Sequence, residues 1–491
     1  MTTHHEHVIV GAGFAGLAMG EGLLRRGRRD FVILEKAATL GGTWRDNTYP
    51  GAACDVPAHL YSLSAVPNPD WSRTYAPQPE ILAYMERCAD ALGLRPHLRY
   101  GARVLAADWD DAADHWRLRL ADGEITARHL ILGAGGLHTP AVPPLPGLED
   151  FRGPRFHTAE WDHGVSLEGK RVAVIGTGAS AIQVVPAIAP LVGQLDLYQR
   201  TPPWIVPRND RPFTRWRRRL FAAVPPLHRL YRWLIYLHLE LRGLGFTTAP
   251  RIMPIVARIG RRHIRRQLSD PALRAAVTPS YVPGCKRVLI SDDYYPALAR
   301  DNVALVTDAI EAIETDGIRA ADGTFRPADV IVLATGFDPF DLLDRLPLRG
   351  PGGRSLAEAW QARPEAWLGT MTHGFPNLYF LVGPNTGLGH SSMVFMIEAQ
   401  VDLVLAVLDR AGDARRVEVS AAAQARYNEA LRPRLDGRVW ASGCRSWYLD
   451  AEGRNVTLWP GSTTEFWART RRPRRGDLVT DRGIAGGGGE R

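Results

Sequence analysis

Two stretches of this chain are spaced to hold a phosphate. In the first, Val8-Ile9-Val10 leads into Gly11-x-Gly13-x-x-Gly16. In the second, Val172-Ala173-Val174-Ile175 leads into Gly176-x-Gly178-x-x-Ala181. In such a turn the first glycine makes the bend, the second lets a pyrophosphate reach the backbone, and the third lets helix and strand pack closely. The pyrophosphate then sits on free N–H groups at the helix N-terminus. The next strand ends differently in the two units. After the first comes Glu35, 24 residues beyond Gly11, placed for a ribose 2′-hydroxyl. After the second come Gln199-Arg200-Thr201, and Arg200 accepts a 2′-phosphate that an acid would repel. The chemistry this predicts is an electron relay, with FAD in the first site and NADPH, preferred over NADH, in the second.

The elements that must position these turns are legible in the same way. Phe31 to Glu35 reads as a buried strand, Glu80 to Leu92 as a helix, and Val104 to Asp108, Trp116 to Leu120 and Leu130 to Gly135 as strands. Pro140 to Pro146 reads as a crossover between domains. Val303 to Val306, Val330 to Ala334 and Asn377 to Gly383 read as later strands, and Ser392 to Leu408 as a helix. The expected fold class is α/β, with two Rossmann-like dinucleotide-binding domains for FAD and NADPH and a helical insertion. The expected boundaries are 1–145 and 329–470 for the FAD domain, 146–207 and 281–328 for the NADPH domain, 208–280 for an Arg-rich helical insertion, and 471–491 for a disordered, glycine-ended tail (Gly486 to Gly489).

Composition narrows the class further. At 491 residues the chain has room for about three domains. With 45% hydrophobic and 23% charged residues it excludes wholesale disorder. Cys54, Cys88, Cys285 and Cys444 form no C-x-x-C pair, so reduced thiols in a cytoplasmic protein are the expectation. The first residues have neither the basic nor the apolar region of a signal peptide, and no apolar run is long enough to span a membrane. No metal is expected, because His4-His5-Glu6-His7 lacks a fixed ligand spacing. The net charge of +8 is local: 208–268 holds 15 arginines against Asp210 and Glu240 alone, so the rest of the chain is net acidic.

More specific residues carry a resemblance. Phe151-x-Gly153-x-x-x-His157-x-x-x-Trp161-Asp162 and Gly42-x-Trp44-x-x-x-x-Tyr49-Pro50-Gly51-x-x-x-Asp55 are similar to the two fingerprints of Baeyer–Villiger monooxygenases, and Ala334-Thr335-Gly336 looks like their late A-T-G strand. The chain resembles the shorter, 4-hydroxyacetophenone-type members from about residue 7 to 470. The resemblance implies that Arg287, ahead of Tyr294-Tyr295, is the catalytic arginine and that Asp55 orients it. It implies that Lys286 joins Arg200 at the 2′-phosphate and that Trp447 lies on a loop closing over NADP. The cofactor contacts it implies, besides the glycines and Glu35, come from Phe14, Ala15, Lys36, Gly42, Thr43, Trp44, Asp55, Val56, Tyr61, Val104, Thr177, Ala179, Ser180, Ala181, Gln183, Thr201 and Arg287. The implied reaction inserts one oxygen atom of O2 next to a ketone carbonyl through a C4a-peroxyflavin. His157 is expected to be structural, at the domain junction, and Leu388 to Met393 to wall the pocket, with His390 as a polar contact.

The alternative within the same chemistry is an N- or S-oxygenase, which the Trp161-Asp162 ending and Arg287 disfavour. A disulfide reductase would need a redox pair on the FAD side, and none is present. A non-catalytic flavin-binding sensor is disfavoured by Arg287 and Asp55. The Arg-rich segment alternates arginines with Trp216, Leu220, Phe221, Leu227, Leu230, Tyr231, Trp233, Leu234, Ile235, Leu237, Leu239, Leu241 and Phe246 in a helical, amphipathic pattern. It reads either as a solvated lid over the substrate entrance or as a peripheral membrane contact. No recognition motif supports nucleic acid.

Overall fold

The computed structural model describes residues 3–339, 345–436, 438–444, 446–471, 473–474 and 476–484. Its first sheet is built on β1 (Thr3–Val10), β2 (Phe31–Leu34), β3 (Leu98–Arg99), β4 (Val104–Asp110), β5 (His115–Leu120) and β6 (Gly123–Leu132). β1 lies between β2 and β6, parallel to both, with Val10 opposite Leu34 and Leu132. The strands therefore end together, and the turn at Gly11, the acid at Glu35 and Gly133 gather at one edge. β4, β5 and β6 form an antiparallel meander. Strand Leu378–Phe380 closes the other side of β6, in parallel. β1 is longer than the sequence suggests because β6 extends back to Ile125 and offers Thr3 to His5 a ladder.

The second sheet is all parallel. It orders Val303–Val306, β9 (Gln194–Tyr198), β8 (Arg171–Ile175), Val330–Leu333 and β7 (Arg155–His157). Such a sheet must be covered on both faces, and its strands read as continuous β-branched runs. Val172, Val174, Leu195, Leu197, Val330 and Val332 are all at most 2% exposed.

Three expectations are corrected. The strand Val330–Leu333 pairs with β8 and β7, so it belongs to the second sheet, although a boundary at 329 puts it in the first domain. A run of four apolar residues carries no signal of which sheet it joins. The tail expected to be disordered from 471 contains Leu478–Thr480 and Gly483–Ile484, which pair with each other, and the first of them pairs with Val417–Val419. Gly486 to Gly489 lie outside the described residues. Finally, the cysteines are not all reduced thiols: Cys285 and Cys444, 159 residues apart, form a disulfide, while Cys54 and Cys88 are free and buried.

α1 (Phe14–Arg25) follows the first glycine turn, and α2 (Thr43–Asp46) and α3 (Gln78–Ala91) follow in the same domain. α4 (Ala181–Ile188) follows the second turn. The insertion is helical, as expected, with α5 (Arg215–Ala223), α6 (Pro225–Thr247), α7 (Met253–Gln267) and α8 (Pro271–Ala276). Among the described residues no helix is long and apolar enough to cross a membrane. Glu6, His7 and His129 converge on adjacent strands. Glu6 is already held by Arg128 at 2.8 Å. Burial brings the His7 imidazole down to about 4 and lowers His129 too. The stacked neutral rings pack as a core contact between β1 and β6.

Candidate functional site

Each glycine turn has the shape that a pyrophosphate on the helix N-terminus requires. A side-chain carbon added at Gly13 or at Gly178 would meet nothing within 4 Å. At Gly16 the same atom would fall 1.9 Å from the Gly11 carbonyl oxygen. Neither α1 nor α4 is capped by a side chain, so their first N–H groups remain available. The residues thus fit two dinucleotides, one per sheet.

Around the first turn, Glu35 is 4% exposed. Its carboxylate accepts from the Ala12 and Ala37 N–H groups and from Arg45, at 2.9 to 3.0 Å. These contacts fix it at the strand end and leave acceptor capacity for a hydroxyl. Phe14, Tyr61 and Trp44 pack edge to face, and the Trp44 indole donates to the Tyr61 hydroxyl at 3.1 Å. Gly42 (φ +50°) and the Thr43 hydroxyl, which donates to the Leu137 carbonyl, form the rim beside them. Ala15, Val56 and Val104 are buried and Lys36 is exposed.

Around the second turn, the Thr177 hydroxyl donates to the Thr201 carbonyl at 2.9 Å. Arg200 is exposed on the same edge. The Lys286 ammonium, lowered by burial and then by the Arg200 charge, lies over the Tyr281 ring. The structure therefore puts together two cations that are 86 residues apart in sequence. Gln183 has a task the sequence did not show. Its amide oxygen accepts from the Tyr49 hydroxyl at 2.9 Å and the Ala53 N–H, and its amide nitrogen donates to the Ala53 carbonyl. It clamps the second domain to the Tyr49–Asp55 segment of the first. Burial pushes the Tyr49 hydroxyl up to about 12, so this clamp does not titrate near neutrality.

Arg287 joins the 42–55 fingerprint segment to the late loop. Its Nε donates to Asp55 Oδ2 at 2.8 Å, its Nη2 lies 2.6 Å from the same oxygen, and its Nη1 donates to the Leu388 carbonyl at 3.3 Å. The Asp55 charge raises the guanidinium above its already high value, so the group stays a cation. The two side chains are 27% and 29% exposed. Tyr448 is buried against the pair; burial raises its phenol and the Arg287 charge holds it back. Only its position next to Trp447 hints at Tyr448 in the sequence. Trp447 itself is 41% exposed and packs on Tyr448 at 4.5 Å. The Cys285–Cys444 disulfide ties the Arg287 segment to the Trp447 loop.

Leu388, whose carbonyl accepts from Arg287, begins the 388–393 segment, in which Ser391 and Ser392 are also buried. His390 is buried, 3.6 Å from the Glu240 carboxylate, and stacks on Phe246. Burial alone would raise the Glu240 carboxyl, but His390, Thr463 and Thr464 override it and bring it down to about 2. A larger cleft of about 970 Å³ opens nearby between Tyr49, Gln183, Arg208 and Arg300, but neither Arg287 nor Asp55 lines it. His157, as expected, is structural: it accepts from the Ala159 N–H, packs on Phe337 and is brought down to about 4 by burial.

Comparison with known proteins agrees with this geometry. Residues 8–213 match the family model described as pyridine nucleotide-disulphide oxidoreductase. A Baeyer–Villiger monooxygenase of Pseudomonas aeruginosa is 50% identical, over 95% of this chain and 90% of its own length. Among solved structures, an oxidized steroid monooxygenase bound to NADP superposes with a TM-score of 0.86 at 32% identity, covering 97% of this chain and 99% of that one. The OTEMO complex with FAD and NADP gives 0.86 at 27% identity, over 96% and 97%.

Proposed function

Because the chain belongs to the Baeyer–Villiger monooxygenase family, we infer that it binds FAD in the first turn and NADPH in the second, and that it inserts one atom of O2 beside a ketone carbonyl to give an ester or lactone. The observation that carries this reading is Arg287, fixed by Asp55 and part-exposed, in a chain with two glycine turns shaped for dinucleotides. When bound, the flavin, reduced by NADPH, supplies the oxygen activation.

The chain's own groups do the rest. Arg287 presents planar donors and a permanent charge to oxygen that turns anionic as the reaction proceeds. Asp55 holds the guanidinium plane by two of its nitrogens, so the charge is aimed before the reaction starts. Glu35 receives a ribose hydroxyl of the FAD. Arg200 and Lys286 receive the 2′-phosphate of NADPH. Trp447 covers the nicotinamide nucleotide and keeps water out. His390, its ring held against Glu240, is the polar contact in a wall otherwise apolar at Leu388. A cytoplasmic location belongs to the same proposal, supported by the need for NADPH.

The test is turnover of a ketone panel with NADPH under 18O2, read by mass spectrometry. One 18O in the ester is the expected result. Sulfoxide or N-oxide from heteroatom substrates, with no ester from any ketone, would overturn it.

Arg200→Ala and Lys286→Ala should each raise the KM for NADPH. A hydrogen bond to a charged group is worth about 1.5–3 kcal/mol, or roughly 10- to 100-fold. KM for NADH should hardly move. An equal loss with both nucleotides would place the two cations elsewhere.

A further inference from the structure

The helical insertion exposes an apolar stripe in addition to the apolar face it buries. A surface helix normally turns its charged face to water and its apolar stripe to the core. In α6 the exposed stripe is Leu230, Trp233, Leu234, Leu237, Leu241 and Leu244, each between 38% and 56% exposed. At 3.6 residues per turn these six cover about 100° of the helix circumference. The rest of the helix packs on the protein through Leu239 and Phe246, and its polar side chains are tied down there: Arg232 donates to Ser62 and Ser64, Tyr236 meets Thr464, and Glu240 accepts from Thr463. Of the eighteen large apolar side chains exposed among the described residues, eleven fall between Trp216 and Ile259. A patch this concentrated marks a surface that meets something.

The charge around the stripe says what. Arg229 and Arg242 flank it on α6, and α7 repeats the pattern with Ile255 and Ile259 exposed between Arg251, Arg258 and Arg262. Among the described residues, these five arginines enter no ion pair, whereas Arg218 pairs with Asp70 and Arg208 with Asp210. A second copy seated on this face would press one cationic collar against another. An anionic surface with an apolar interior matches both features at once. A stripe of leucines with tryptophan, edged by arginine, is the composition that lies in a lipid interface.

We propose that α6, supported by α7, docks this enzyme on the surface of an anionic lipid bilayer, with the Leu230–Leu244 stripe in the acyl boundary and the arginines at the headgroups. The docking geometry has a consequence for the site. The inner face of the same helix reaches the pocket wall, where Phe246 stacks on His390 and Glu240 lies against it. An apolar ketone dissolved in the bilayer would meet the enzyme at the helix that walls its pocket.

The experiment is sedimentation of the FAD-loaded enzyme with vesicles of phosphatidylcholine alone or of equal parts phosphatidylcholine and phosphatidylglycerol. The expected result is pelleting with the anionic vesicles at low salt, a blue shift of tryptophan emission, and release at 0.5 M NaCl. The double variant Leu234→Glu/Leu241→Glu should reduce the bound fraction at least tenfold. Its thermal midpoint, FAD content and turnover of a water-soluble ketone should be unchanged. No pelleting of the parent enzyme with anionic vesicles overturns the proposal. So does equal pelleting by the variant, or a concentration-dependent dimer in sedimentation velocity that the variant abolishes, which would make a second copy the occupant. Because ketone turnover is read separately, failure here leaves the monooxygenase reading intact, and the converse holds as well.

Discussion

Arg287→Ala is expected to lose ester formation while flavin reduction by NADPH continues. The side chain makes three polar contacts, two with Asp55 and one with the Leu388 carbonyl. None of them touches either glycine turn, so nucleotide binding at the turns has no reason to fail. What is lost is a preorganised cation in a partly desolvated site. Removing one such donor lowers kcat by about 10²- to 10³-fold in comparable sites. Rapid-mixing absorbance would follow flavin reduction, and mass spectrometry the ester. Arg287→Lys separates charge from shape: one ammonium cannot satisfy Asp55 and Leu388 together, so its activity should fall between the two. The pair is about a quarter exposed, so the leftover Asp55 carboxylate stays hydrated and the alanine variant should fold. Near-normal ester formation by Arg287→Ala would remove the residue from the mechanism. Loss of flavin reduction as well would make it a nucleotide-binding residue instead.

The second large effect separates two glycines only three positions apart. Gly13→Val should fold and fail to hold FAD, because the added side chain enters space that no protein atom occupies. Gly16→Val should damage the fold itself, because its first carbon would collide with the Gly11 carbonyl oxygen. Forcing extra atoms into a packed contact costs about 1–3 kcal/mol and sometimes more. Both variants should be compared as apoproteins by chemical denaturation, since a bound ligand adds its own stabilisation. The expected outcome is a near-parental midpoint for Gly13→Val with FAD retention down more than tenfold, and a lowered midpoint for Gly16→Val with or without FAD. Equal midpoints would mean that the turn opens more easily than its contacts imply.

Much of this site was legible because its parts are local. A glycine turn is read from neighbours along the chain, since strand, bend and helix N-terminus are all set within about ten residues. The acid at Glu35 follows from the length of one helix and one connection. The two fingerprints likewise occupy single stretches, and Asp55 and Arg287 could be assigned from such stretches by resemblance. Even the insertion was visible as alternating arginine and leucine, although its periodicity is the same whether the leucines face inward or outward.

The rest was decided by packing between distant segments. Nothing near Cys285 announces Cys444, because loops can bring together cysteines at any separation. Gln183 reads in the sequence as a cofactor contact by resemblance, and only the Tyr49 segment folding against it occupies both ends of its amide. Val330–Leu333 is a strand by composition, but only the ladders to β8 and β7 choose its sheet. Glu240 and His390 meet because α6 crosses the late loop. The sequence by itself determined the two dinucleotide turns, since backbone geometry sets their spacing within one strand, bend and helix, while the arginine and the class of chemistry were read from it by resemblance. Only the tertiary structure decided how the arginine is held, which loops are tied together and which face of α6 meets the surroundings. Those depend on the total burial of many side chains at once, which no local pattern records.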